Sequence, residues 1–153
     1  MSKTTPATLA LSQAGIAFTL ATYDYDPDAD SIGLQAAAAL GVPPSTVLKT
    51  LMAEVDGKPV CVIVPSDHEV SMKKLAAAFG GKQAQMLKPA AAERLTGYRV
   101  GGISPFGQKR QVPSALRLDL VFINGGQRGL QIRLAPADAQ KASGAKAAPL
   151  IAG

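Results

Sequence analysis

A chain of 153 residues and 15.7 kDa is the size of one ordinary domain, long enough to bury a core without a disulfide or metal staple. Its 47% hydrophobic content and mean hydropathy of +0.14 exclude a disordered tail protein, and no uncharged apolar run approaches the ~20 residues of a membrane helix. A net charge of +5 hides an asymmetry: Lys3 alone faces Asp24, Asp26, Asp28 and Asp30 at the start, whereas the remainder holds basic residues in excess.

Thr5-Pro6 predicts a helix with a cap and a first-turn proline, closed at Gly15. Ile16–Tyr23 reads as a strand, Asp24–Asp30 as an acidic turn, and Ser31–Leu40 as a helix closed by Gly41. Val47–Val55 and Pro59–Val64 are predicted strands joined by Asp56-Gly57, a strong hairpin signal. Ser71 caps a helix running to Phe79, Gln83–Leu87 is a further strand, and Pro89–Leu95 a short helix before Gly97. Tyr98–Val100 is expected as a short strand leading into the loop Gly101–Gly107. Leu116–Ile123 and Leu130–Leu134 are strands joined by a Gly-rich turn, Pro136–Ala142 a closing helix, and residues 145–153 a loose tail. Helices interspersed with hairpin signals predict an α+β fold, one domain over residues 1–153 around a central, mixed, mostly antiparallel curved sheet.

Three features could carry chemistry. Lys49 shares a strand face with Val47 and Leu51, where an ammonium is costly unless its tip reaches water or an anion. It either snorkels at the strand end or holds a phosphate or carboxylate oxygen at a pocket mouth. Gly101-Gly102-Ile103-Ser104-Pro105 could aim backbone N–H groups at a developing oxyanion, or could be a structural turn. Arg128 at the tip of the Gly-rich turn, with Lys109 and Arg110, offers phosphate ligands. No Gly-x-Ser-x-Gly, His-Glu-x-x-His or Cys-x-x-Cys occurs; Cys61 reads as core and His68 as a loop residue. A hydrolase built here needs backbone polarisation, a positioned water or a reactive group brought by the substrate.

Lys49 in Val-Leu-Lys-Thr-Leu, Thr96-Gly97-Tyr98, Gly101-Gly102-Ile103-Ser104-Pro105-x-Gly107-Gln108-Lys109 and Gly125-Gly126-x-Arg128-Gly129-Leu130 occur in that order. Together they closely resemble the YbaK/EbsC family of Cys-tRNA(Pro) deacylases, relatives of the editing domain of prolyl-tRNA synthetases. The resemblance runs from about Pro6 to Lys141. It implies a mixed-sheet α+β domain that hydrolyses the ester between a wrong amino acid and tRNA without metal or cofactor. It implies a catalytic role for Lys49 and for the loop Gly101, Gly102, Ile103, Ser104 and Pro105. Tyr23, Ile32, Thr50, Asn124 and Gln131 would border the amino-acid pocket. In the Cys-specific members the substrate thiol is thought to attack its own ester and leave as a thiolactone.

The pattern departs at three positions: a small hydroxyl residue is expected where Asn124 stands, an acidic one at Gln131, and an aromatic near Ile32. The leading expectation is a trans-editing deacylase for Cys-tRNA(Pro). The alternatives are a deacylase for tRNA carrying Ala, Ser, Thr or 2-aminobutyrate, a non-catalytic tRNA- or synthetase-binding module, and a small-molecule esterase. Expected partners are the aminoacylated tRNA end, contacted by Lys109, Arg110 and Arg128, and a prolyl-tRNA synthetase. No membrane partner is expected. The opening Met-Ser-Lys-Thr-Thr-Pro lacks the apolar core of a secretory signal, so the expected location is the cytoplasm.

Overall fold

Thr5 starts the first helix, α1 (Pro6–Gln13), through a reciprocal cap: the Thr8 amide donates to the Thr5 hydroxyl at 3.2 Å, and the Thr5 amide donates to the Thr8 hydroxyl at 2.8 Å. The computed structural model describes residues 4–26, 28, 32–110, 112, 114–116, 122–134, 136–147 and 150–151. In chain order the remaining elements are β1 (Thr19–Thr22), α2 (Ile32–Leu40), a 3-10 turn (Pro44–Thr46), β2 (Leu48–Val55) and β3 (Lys58–Pro65). There follow α3 (Met72–Ala78), β4 (Ala84–Met86), α4 (Pro89–Thr96), β5 (Ser114–Leu116), β6 (Phe122–Asn124), β7 (Leu130–Arg133), α5 (Pro136–Ser143) and β8 (Lys146–Ala147).

The β2–β3 hairpin is the spine of the fold. Asp56 (φ 49°) and Gly57 (φ 83°) both occupy the left-handed region, the conformation of a turn whose twist matches the flanking strands. Antiparallel pairing then runs from Leu48↔Pro65 to Val55↔Lys58. β4 adds to β2 over Ala53–Val55, β5 adds to β3 in parallel, and β8 adds to β5, giving the order β4-β2-β3-β5-β8. A second, antiparallel sheet has the order β1-β7-β6. The α+β expectation holds, with the described strands divided between two sheets rather than gathered into one.

Alternation along the hairpin sorts side chains onto two cores. Leu48, Met52, Cys61 and Ile63 face one that also takes Ile123 and Ile132 of the small sheet, Ala7 and Leu11 of α1, and Tyr98, Ile103 and Phe106. Ala53, Val55, Val60, Val62 and Val64 face the other, under Leu75 and Ala76 of α3. Cys61 is fully buried, as expected of a core residue. His68 stays exposed, with its ring paired to Asp67 at 2.8 Å.

Two expectations need correction. Tyr98–Val100 is not a strand: the Gly102 amide turns back to the Arg99 carbonyl at 2.8 Å, because the Tyr98 ring is drawn into the core and its hydroxyl donates to the Phe106 carbonyl at 2.7 Å. Residues 145–153 are not a loose tail where they are described. β8 covers the edge of β5, Leu150 is fully buried in the second core, and its carbonyl accepts from the Ser71 amide at 2.7 Å. The Lys74 ammonium adds a 2.9 Å bond to the Ile151 carbonyl. An open edge and an uncovered apolar face draw the chain end inward. The predicted strand Leu116–Ile123 corresponds to β5 and β6 at its two ends; residues 117–121 lie outside the described residues.

Candidate active site

β4 pairs with β2 at Ala53, Glu54 and Val55, and the Leu87 amide continues the contact to the Met52 carbonyl at 3.1 Å. Beyond that point the outer edge of β2 has no neighbouring strand among the described residues, and a cavity of about 300 Å³ opens beside it. Leu48, Met52, Ala92 and Ile103 give it an apolar lining, Leu87 and Pro89 wall the side towards α4, and Lys49, Thr50, Gly101 and Gln131 supply the polar groups. Met86 and Val100, 45% and 40% exposed, also line it.

This cavity brings together Lys49, Thr50, Gly101, Ile103 and Gln131, from three distant parts of the chain. Lys49 is half-buried opposite Val64, and no carboxylate forms an ion pair with it among the described residues. The Thr50 hydroxyl and the Gln131 Oε1 are buried and accept no hydrogen bond among the described residues. Buried polar atoms left in that state cost about 1–3 kcal/mol each, which a ligand offering donors would recover.

The Gly101–Pro105 loop divides its labour. Gly101 (φ 94°) and Ile103 line the cavity, while Ser104 and Pro105 are buried beneath it. The Gly102 amide is spent on Arg99, and the Phe106 amide on the Ser104 hydroxyl at 3.3 Å. The Ile103 N–H makes no backbone hydrogen bond among the described residues, which leaves it available as a donor. Gly101→Val should therefore lower turnover by about 10²-fold through misaimed donors, against a stability loss of about 1–2 kcal/mol from a Cβ at positive φ. Kinetics beside a melting curve check this; parallel losses of both would make the loop a structural turn only.

Other predicted residues lie elsewhere. Tyr23 packs with Val42 against Ala36, Ala37 and Val47 instead of lining the cavity. Burial pushes its phenol above the ordinary tyrosine value, and the nearby Gly129 backbone, which opposes that shift, makes no well-formed hydrogen bond to it. Ile32 opens α2 and Asn124 closes β6, with side chains outside the described residues. Arg128 grips the carbonyl of Val100 through Nε (3.2 Å) and Nη2 (2.8 Å) and lies over the Tyr25 ring at 5.5 Å. It thus ties the Gly-rich turn to the loop, a contact that residue type alone does not reveal. The Lys109 and Arg110 amides cap α4 by donating to the Thr96 and Leu95 carbonyls, both at 2.9 Å. Arg110 lines a separate cavity of about 650 Å³ beside the Asp56-Gly57 turn, at the opposite end of β2 from Lys49.

The family model of the aminoacyl-tRNA editing domain matches residues 26–142. The chain belongs to this family. As an editing domain it is an aminoacyl-tRNA deacylase of the YbaK/EbsC type, a hydrolase acting on the aminoacyl ester. The editing domain is 36% identical over 122 residues to a protein of Enterococcus faecalis provisionally named Cys-tRNA(Pro)/Cys-tRNA(Cys) deacylase EbsC, covering 74% of each chain. It is 35% identical over 89 residues to the proline–tRNA ligase of Geobacter metallireducens, a match over 57% of this chain and 16% of the ligase. A crystal structure described as that of a provisional trans-editing enzyme for prolyl-tRNA synthetase superposes with a TM-score of 0.80 at 22% identity, covering 97% of this chain and 96% of that one. That likeness concerns the fold. No helix among the described residues is long and apolar enough to cross a membrane.

Proposed function

We propose that this editing domain removes a small, wrongly attached amino acid from tRNA in trans, with Cys-tRNA(Pro) as its first substrate. The observation that carries this reading is one small cavity lined by Lys49, Thr50, Gly101, Ile103 and Gln131, in which the Thr50 hydroxyl and Gln131 Oε1 are buried without a hydrogen-bond partner among the described residues. Thr50 and Gln131 accept from the substrate's α-ammonium. The Ile103 N–H and the Lys49 ammonium stabilise the negative charge that develops on the ester oxygen. The cavity's size favours small side chains, and the names of the Enterococcus relative and of the ligases support cysteine and tRNA(Pro).

Among the described residues the cavity lining pairs no nucleophile with a His, Asp or Glu base. Cys61 is fully buried in the core. In cysteinyl-tRNA the substrate's own thiol attacks the neighbouring carbonyl: the S–C bond forms, the ester C–O bond breaks, and the thiol proton ends on the released ribose hydroxyl. Water then opens the thiolactone. Intramolecular attack of this kind carries a large effective-molarity advantage.

The test is a panel of aminoacylated tRNAs offered to the purified protein, with and without prolyl-tRNA synthetase. Cys-tRNA(Pro) should be cleaved at least about 10-fold faster than Ser-tRNA(Pro), since a thiol is a far better nucleophile than a neutral hydroxyl at pH 7. Cys61→Ala should leave both rates unchanged. Equal rates on the two tRNAs would replace thiol assistance by a positioned water. A second reading is favoured by the neutral Gln131, whose unpartnered Oε1 also suits a hydroxyl-bearing side chain. Under it, Ser- or Thr-tRNA would lead the panel.

A further inference from the structure

The loop between Tyr98 and Ser104 is a wall shared by two clefts. Val100, Gly101 and Ile103 face the cavity beside β2, whereas Arg99 and Gly102 face a second cleft of about 380 Å³ with Gly97, Gly126, Gln127 and Arg128. Gly97, Gly102 and Gly126 line this second cleft, and the space a Cβ would take at Gly102 and Gly126 is filled by the backbone of Gln127 and Arg128 and by the Tyr98 ring. Two arginines, Arg99 and Arg128, are among its lining residues. Arg128 is held by its Val100 contact, which occupies only part of its donor fork, and Arg99 is exposed with no side-chain partner among the described residues. Among the described residues no carboxylate lines the cleft.

We infer that this cleft holds the phosphodiester backbone of the 3′-terminal nucleotides of tRNA while the esterified amino acid occupies the cavity on the other side of the loop. The inference rests on the deacylase reading for its ligand. Its geometry is independent of the chemistry: the planar guanidinium of exposed Arg99 suits phosphate oxygens, no carboxylate among the described residues lines the cleft to compete for it, and the thin loop sets the two sites side by side. Arg99 becomes a binding residue to which neither the Lys49 strand nor the Gly-rich turn points.

The probe is an unacylated RNA hairpin ending in single-stranded CCA, with binding read by fluorescence anisotropy across a salt series. Arg99→Gln should weaken binding about 5-fold at low salt and lower the log–log salt slope by about 1, with Arg99→Lys recovering part of each. On aminoacylated tRNA the same variant should raise KM more than it lowers kcat. Removing CCA from the hairpin should erase the difference between wild type and Arg99→Gln. Binding indifferent to Arg99, or a CCA-less hairpin that keeps the full Arg99 effect, would overturn the inference. So would 5′-CMP binding as tightly as the hairpin, because the cleft would then be a free-nucleotide site. Hairpin binding with the expected Arg99 dependence but no cleavage of any aminoacyl-tRNA would uphold the cleft and sink the deacylation reading instead.

Discussion

Lys49→Ala should lower turnover on misacylated tRNA by at least about 10²-fold while shifting the melting temperature little. Among the described residues Lys49 is the one cation lining the cavity beside β2, and it is half-buried without an ion pair. An ammonium in that setting gives up hydration without a permanent counter-charge, so its removal relieves desolvation and costs little stability. Under the proposed function, what is lost is the charge that meets the developing oxyanion, an interaction worth roughly 3 kcal/mol. Lys49→Arg should not restore the rate, because a planar fork replaces a compact point charge in a narrow space. Single-turnover kinetics on Cys-tRNA(Pro), beside thermal unfolding, decide the matter. A variant that turns over near the wild-type rate would leave Lys49 a snorkelling strand residue.

Gly107→Ala should destabilise the fold severely, although it adds only one methyl group. The Gly107 φ is 62°, and a Cβ there would stand 2.3 Å from the Pro6 carbonyl oxygen and 2.7 Å from its carbon. These are backbone atoms at the start of α1, which cannot recede because Ala7 and Leu11 are fully buried in the main core. The expected cost is at least about 3 kcal/mol, or roughly 10 °C in melting temperature for a chain of this size. Gly80→Ala is the matched control: its φ is 67°, yet nothing lies within 4 Å of the added Cβ, so only the conformational penalty of about 1–2 kcal/mol applies. Equal losses in the two variants would show that the α1 contact adds nothing to the conformational term.

The hairpin, its turn and the helix caps are legible in the sequence because their signals are local. Asp56-Gly57 dictates its turn, the alternation from Leu48 to Val55 dictates two faces, and Thr5 with Pro6 dictates a helix start. The site is legible only through the order of its motifs, since no periodicity links Thr50 to Gln131 or either to Ile103. The loop's division between two clefts cannot be read from Gly101-Gly102, because which glycine faces which side depends on the turn closed by the Arg99 carbonyl. Residue type alone makes Arg128 a free phosphate ligand, whereas the fold places its guanidinium on the Val100 carbonyl. The docked end at Leu150 and Ile151 is invisible in the sequence because two apolar residues near a chain end carry no pattern of their own.

The short pairing of β4 with β2 has a consequence for how the chain coexists with others of its kind. An unpaired sheet edge is an invitation to another strand, and crowded copies of one polypeptide exploit such edges to aggregate. Here Leu87, Pro89 and Ala92 line the cavity of about 300 Å³ beside the stretch of β2 that has no neighbouring strand among the described residues. Under the proposed function, the groups that would limit the size of the bound amino acid are also the groups that stand over this edge. Trimming them to admit bulkier side chains would bare the strand, so broad substrate tolerance and resistance to self-association pull against each other on this scaffold.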